Sequence, residues 1–154
     1  MVARVFDTET TGFRPPEAQV IQIGSIDLTS EGGYENEYES LVDISPLKCE
    51  PKSSGVHHII DEDLAGAPVF DEAVKPLLGA DVYIAHNAKF DLQWMPIQIL
   101  RSPIICTMCC AQVYWGKRAP DHKNLEKPCD WIPCPLYHES SITVPAINSA
   151  RLVC

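Results

Sequence analysis

The first forty residues place apolar side chains at strand spacing, and from about residue 60 that rhythm gives way to alternating helical and strand patterns. This switch limits the fold more than any other feature of the chain. "ARVFD" is short, apolar and β-prone, and "QVIQIGSIDLT" alternates Val20, Ile21, Ile23 and Ile26 with small or polar residues. "EGGYENEYESLVD" adds a Gly-Gly turn and a third strand, so the three segments predict an antiparallel meander. A loop rich in Pro, Ser and Lys, "ISPLKCEPKSSG", then leads into short helices at "DEDLAG" and "FDEAVKPLLG". "DVYIAH" reads as a compact buried strand, "AKFDLQWMPIQIL" as a helix interrupted at Pro96, "SPIICT" as a strand and "TMCCAQVYW" as a helix. Strands first and β-α-β-α afterwards predict an α/β protein, a mixed sheet with helices on its faces.

A length of 154 residues fits one domain, 1–154, with residues 127–154 as an atypical tail. Four prolines and three cysteines fall in that tail, where only "AINSARLV" has comfortable helical composition. No apolar run approaches eighteen residues and no charged-then-apolar leader follows Met1, which predicts a soluble, cytoplasmic protein without a membrane span. Seven cysteines, an odd number without a secretion signal, predict reduced thiols. The net charge of −9 excludes a nonspecific nucleic-acid coat, whose binding rests on many Lys and Arg contacts to phosphate. The acidic excess lies in residues 1–100, so an anionic ligand is best tolerated near Arg101, Lys117, Arg118, Lys123 and Lys127.

At the end of the first strand stands "VFDTETTGF". Positions i and i+2 of a strand share a face, so Asp7 and Glu9 project together. Two carboxylates this close repel and raise a pKa unless a cation neutralises them. Oxygen ligands suit Mg²⁺ or Mn²⁺, which take one or two protein carboxylates and leave other positions to water and phosphate. "TTG" adds backbone donors and a tight turn at Gly12. In "YIAHNAKFDLQW" a strand ends at His86 and Asn87, and the next helix carries Asp91 in its first turn. Taken alone, Asp91 reads as helix-dipole decoration; beside Asp7 and Glu9 it becomes a third metal ligand.

"FDTETTG" followed about eighty residues later by "AHNAKFD" resembles the first two motifs of the DEDD, or DnaQ-like, 3′-5′ exonuclease superfamily. The segment from "SSGVHHIIDEDLAG" through "AHNAKFD", with "ICTM", is similar to its exonuclease X branch, and the resemblance spans roughly residues 1–126. It implies a ribonuclease H-like fold, two Mg²⁺ (or Mn²⁺) ions held by Asp7, Glu9 and Asp91, and single-stranded DNA or DNA 3′ ends as substrate. By the same resemblance, backbone at Thr10, Thr11 and Gly12 lines the terminal nucleotide, Phe13 offers a stacking surface, and His86, Asn87 and Phe90 follow the strand path. Stacking tolerates any base, as a sequence-indifferent nuclease requires. Phe90 has ordinary core packing as its other reading. RNA stays open as a substrate, because discrimination of the 2′-OH is not readable in these residues.

The family completes its site with a third motif, a His as general base and an Asp five residues later. Laid on that motif, "LYHESSITVPAINSARLV" puts Glu139 at the His position, beside His138, and Val144 at the Asp position; counted from His138 itself, the fifth residue is Thr143. His122 has Lys127 five residues beyond, while His57 and His58 lie in a segment of structural resemblance. His138 is the expected catalytic base, with Glu139 as the alternative base or replacement carboxylate, and the missing fourth carboxylate predicts a weaker second ion and impaired or absent catalysis. Three other readings stand beside the exonuclease. The first is a catalytically silent nucleic-acid-binding module on the same fold, and the second a hydrolase of short oligonucleotides. The third is a zinc protein, built on Cys106-x₂-Cys109 and Cys129-x₄-Cys134, against which "CTMCCAQVYW" reads as a buried strand-to-helix segment.

Overall fold

The computed structural model describes residues 1–49 and 51–115. The strands are β1 (Ala3–Thr10), β2 (Val20–Leu28), β3 (Tyr34–Leu41), β4 (Val82–Ala85) and β5 (Ile104–Cys106). They form one sheet in the order β3-β2-β1-β4-β5. The first three pair antiparallel, whereas β4 joins β1, and β5 joins β4, in parallel. The meander and the mixed sheet predicted from the apolar rhythm are both present. The helices are α1 (Pro51–His57), α2 (Asp61–Leu64), α3 (Phe70–Ala73), α4 (Ala88–Leu92), α5 (Ile97–Leu100) and α6 (Thr107–Trp115), with a 3₁₀ turn at Lys75–Leu77. This is the ribonuclease H-like arrangement, a five-stranded mixed sheet flanked by helices.

Strand β2 is buried along nearly its whole length because both of its faces are covered. One face joins Phe6, Val20, Ile23, Tyr83 and Ala85 to Leu77, Ala88, Met95 and Ile99 from the helical half. The other gathers Ile21, Ile44, Ile59 and Leu64. Complete burial of a side chain such as Phe6 or Ile23 contributes about 1.5–3 kcal/mol. Tyr83 stacks edge-on against Phe6, and its hydroxyl donates to the Leu77 carbonyl at 2.8 Å, so this buried ring leaves its polar end satisfied. Strand β3, at the sheet edge, is largely exposed and carries Glu35, Glu37 and Glu39, charges that discourage pairing with another chain.

Between Glu9 and Thr10 the β1–β2 register shifts, since Glu9 opposes Gln22 and Thr10 opposes Val20. The extra residue is Ile21. It drops into the second cluster while Val20 and Ile23 stay in the first.

Arg4 and Asp27 face each other across the β1–β2 ladder in a bidentate pair, Nε to Oδ1 at 2.6 Å and Nη2 to Oδ2 at 2.8 Å. Arg4 also donates to the Pro76 carbonyl, and Asn36 donates to Asp27 at 3.0 Å. The Arg4 hydrogen bond, helped by Asn36, holds the Asp27 carboxyl below the usual carboxylate range despite burial.

Two expectations require correction. Residues 51–57 form helix α1 where the Pro, Ser and Lys content predicted loop. Proline at the first helical position brings its fixed φ and no amide in need of a partner, so Pro51 opens a helix. The helix closes as the His58 amide donates to Ser54 and His58 turns left-handed at φ 62°. The second concerns "CTMCC": Cys109 and Cys110 are exposed and Cys106 half-buried, because the start of α6 turns those two thiols away from the core. Cys129 and Cys134, the other half of the zinc reading, lie outside the described residues, as do His138, Glu139, Val144 and the whole 127–154 tail. Among the described residues Cys49, Cys106, Cys109 and Cys110 are free thiols. Among them too, no helix is long and apolar enough to cross a membrane.

Candidate active site

Strand β1 sorts its side chains by alternation. Phe6, Thr8 and Thr10 are buried while Asp7 and Glu9 are half-buried, so the two carboxylates leave the strand together on the face opposite Thr8, as the i, i+2 spacing predicts. Asp91 comes from the other side. It lies near the start of α4, 1% exposed, and its Oδ1 accepts the Thr8 hydroxyl at 2.8 Å and the Thr8 amide at 3.2 Å. Residues 83 positions apart are thereby joined by one threonine.

Burial, and after it the negative charge of Asp7, push the Asp91 carboxyl up to about 8, and the Thr8 hydrogen bonds offset only part of that rise. A carboxylate that is both desolvated and faced by a like charge has an electrostatic vacancy for a cation. Among the described residues no three His, Cys, Asp or Glu side chains are drawn together tightly enough to cage an ion unaided. Carboxylates are the donor set of Mg²⁺, which takes one or two of them from a protein and keeps water and phosphate as its other ligands. The residue types present suit a divalent cation.

The loop after β1 is fixed by its own hydrogen bonds. Thr10 Oγ1 donates to the Gly12 carbonyl at 2.6 Å, the Thr11 amide donates to Gln19 O at 2.9 Å, and the Gln19 amide donates to Thr11 Oγ1 at 3.0 Å. The Thr11 amide is therefore committed to the protein, which removes it from the backbone donors expected there. Gly12 serves close approach rather than a left-handed turn, because a Cβ there would meet Ala18 Cβ at 3.1 Å. Phe13 follows, 85% exposed, and its carbonyl accepts Gln93 Nε2 at 3.0 Å, so α4 steadies this loop as well as Asp91.

Strand β4 delivers His86 and Asn87. His86 Nδ1 lies 2.9 Å from Thr107 Oγ1 at the start of α6. Asn87 adopts φ 56°, ψ 44°, a left-handed conformation that asparagine tolerates and that turns the chain sharply into α4. Phe90 is half-buried and meets Trp94 edge-to-face at 6.3 Å.

The structure thus brings Asp7, Glu9 and Asp91 to one end of β1, with Phe13 and His86 on the flanking loops. Three positioning contacts were missed from the sequence: Thr8 on Asp91, Gln93 on Phe13, and Thr107 on His86. For Thr8 a signal existed, since a threonine between two outward carboxylates must point inward and needs a buried partner.

The chain matches the RNase_T exonuclease family over residues 5–118. It is 30% identical over 112 residues to Exodeoxyribonuclease 10 of Escherichia coli K12, covering 73% of this chain and 48% of that protein. It is 32% identical over 147 residues to the DNA polymerase III subunit epsilon of Haemophilus influenzae, covering 82% of this chain and 55% of that subunit. The chain spans about half the length of these curated relatives. Among solved structures, Exonuclease X in complex with 5′ overhanging duplex DNA superposes with a TM-score of 0.71 at 26% identity, over 83% of this chain and 73% of that one. E. coli Exonuclease I in complex with a dA16 oligonucleotide shares the fold at a TM-score of 0.64 and 13% identity, over 77% of this chain and 31% of that one.

Proposed function

The chain belongs to the RNase_T exonuclease family, within the DEDD 3′-5′ exonuclease superfamily, and on that premise we propose that it is a Mg²⁺-dependent 3′-5′ exodeoxyribonuclease acting on single-stranded DNA or DNA 3′ ends. The observation that carries this reading is Asp91, buried, fastened to β1 through Thr8 and facing Asp7, at the strand end that also bears Glu9. Such an arrangement is electrostatically costly without a cation and well suited to one.

Asp7, Glu9 and Asp91 would hold the metal, with Mn²⁺ as a substitute and a second ion bound more weakly. When bound, the ions supply a hydroxide-like nucleophile and charge stabilisation for the leaving 3′ oxygen. Glu9, half-exposed at the strand end, orients the attacking water by accepting its proton in a hydrogen bond. Thr8 keeps the Asp91 carboxylate from swinging away, and the Thr10–Gly12 loop, fixed by Gln19 and Gln93, forms a wall against which the terminal nucleotide rests. Phe13 and Phe90 present ring faces to bases, with His86 and Asn87 along the strand path.

The test is digestion of 5′-labelled single-stranded DNA and RNA with Mg²⁺ or Mn²⁺, using Asp7→Ala as control. A metal-dependent ladder from the 3′ end, absent in the control, supports the reading; cleavage unchanged in the control removes Asp7 from the site. A second reading, nucleic-acid binding without cleavage, is favoured by one observation, that Val144 or Thr143 stands where the family carries its fourth carboxylate. Retained affinity for 3′-ended strands with no product would select it, and a gain of cleavage on Val144→Asp would count against it.

A further inference from the structure

A pair of thiols lies beside the site and outside its chemistry. Cys106 is the last residue of β5 and Cys109 sits in the first turn of α6, so the two are separated by three positions across a strand-to-helix junction. Cys106 immediately precedes Thr107, the first residue of α6, so the first turn of the helix carries Cys109 back towards it. A disulfide needs roughly 3.5–4.5 Å between Cβ atoms, an approach that adjustment of one helical turn supplies. The two thiols are near enough for each to influence the ionisation of the other. Cys109 is exposed and Cys106 only half-buried, so both sulfurs are open to a dissolved disulfide.

Thr107, which is enclosed between them in sequence, has its hydroxyl 2.9 Å from His86 Nδ1. The Ala88 amide, two residues beyond His86, is among the groups that lower the Cys106 thiol pKa, which puts the β4–α4 turn beside that sulfur. The thiol pair and the β4–α4 turn are thus mechanically linked. We propose that Cys106 and Cys109 are a reversible dithiol–disulfide site, and that closing the disulfide displaces Thr107 from His86. The second half of this inference, as a control of nuclease function, rests on the function proposed above.

The chemistry balances with a disulfide oxidant such as glutathione disulfide. Cys106 thiolate attacks one sulfur of the oxidant, forming a mixed disulfide and releasing one glutathione thiolate, which takes up a proton. Cys109, deprotonated, then attacks the Cys106 sulfur and releases the second glutathione. Two protein thiols are oxidised and one glutathione disulfide is reduced to two thiols. Burial pushes the Cys106 thiol up, but the amides of Cys109, Ala88 and Met108, with the Cys109 thiol, bring it below its usual value, which favours it as the first nucleophile. The Cys109 thiol is held up by its hydrogen bond to Cys106 and by the charge there. Formation of the mixed disulfide removes that charge and frees Cys109 for the second step.

The experiment equilibrates the full chain with glutathione redox buffers, followed by thiol counting, mass spectrometry of the peptide bearing Cys106, and NMR of the His86 imidazole. The expected result is loss of two thiols and about 2 Da, reversed by dithiothreitol, preserved in Cys110→Ser, abolished in Cys109→Ser, and accompanied by a shift of the His86 resonance. Thr107→Val should reproduce that shift without oxidation. A bridge that survives Cys109→Ser or requires Cys110 overturns the assignment, as does one equivalent of zinc bound by both thiols. A 106–109 bridge that leaves the His86 resonance unmoved overturns the coupling. Reduced protein that neither binds nor cleaves DNA would overturn the nuclease function instead, while the mass and imidazole readouts still decide the thiol site.

Discussion

Strand β1 handles a buried carboxylate in two opposite ways within four residues. At its start, Asp27 is gripped by Arg4 in a bidentate pair and its carboxyl is held low. At its end, Asp91 is gripped by the neutral hydroxyl and amide of Thr8, faces the charge of Asp7, and is raised to about 8. Burial of the carboxylate is answered in one place by an opposite charge and in the other by dipoles that fix position without neutralising. The first arrangement keeps its carboxylate ionised; the second fixes its carboxyl in place while raising its pKa.

The largest expected effect comes from emptying the second arrangement. Asp91→Ala or Asp7→Ala should lower cleavage of labelled single-stranded DNA by at least about 10²–10³-fold, the scale on which loss of one transition-state contact is felt. Asp91→Asn should do the same while leaving the metal-free protein at least as stable at pH 7 in urea denaturation; marked destabilisation would break the contrast. At the strand's start the opposite holds: Arg4→Ala leaves Asp27 buried with its charge partner gone and should cost about 3–5 kcal/mol of stability. The double change Arg4→Met with Asp27→Leu should cost much less, because no lone charge remains.

The two carboxylates also predict opposite pH behaviour. Asp27 has a lowered folded pKa, so its stabilisation is complete above the unfolded value of about 3.9 and is lost as pH falls through the folded one. Asp91 has a raised folded pKa, so without metal its ionisation erodes stability as pH climbs from about 4 towards about 8. Thermal melts with EDTA should show both slopes. Added Mg²⁺ should raise the melting temperature more at pH 8 than at pH 5, since the ligand must be deprotonated to bind. Equal gains at both pH values would detach Asp91 from the metal.

Thr8→Val should weaken Mn²⁺ affinity by about 10- to 100-fold, the usual cost of losing a group that orients a ligand, and Thr8→Ser should restore it. The smallest effect is expected at Gln93→Ala, which removes the hydrogen bond to Phe13. It should raise KM for DNA less than about tenfold, in keeping with roughly 0.5–1.5 kcal/mol, with kcat and melting temperature nearly unchanged.

What the sequence disclosed follows from the range of its signals. Period-two alternation is local, so the common face of Asp7 and Glu9 and the three-stranded meander were legible directly. Asp91 was legible because a helix start after a short apolar strand fixes its place within a turn. Thr8, Gln93 and Thr107 were hidden because their roles depend on which helix covers which face, a long-range fact that spacing does not encode. Helix α1 was hidden by a local ambiguity, since a proline punctuates a loop and opens a helix equally well. The exposure of Cys109 and Cys110 was misread for the reason that hid Thr107, the unknown orientation of α6.

The displaced register at Ile21 has a bearing on how this chain tolerates change in length. Because that single residue is absorbed between Val20 and Gln22, deleting it would leave Thr10 opposite Val20 and Glu9 opposite Gln22 in a regular ladder, and would take a fully buried side chain out of the second cluster. A residue gained or lost within the Thr11–Gln19 loop would break the Thr11–Gln19 pair of hydrogen bonds and the approach of Gly12 to Ala18 together. A residue gained or lost at the Thr29–Gly33 turn, by contrast, meets only an exposed connection and a poorly covered edge strand. Length variation among descendants of this chain should therefore accumulate at one end of β2 and be purged from the other, although both ends are surface turns of ordinary composition.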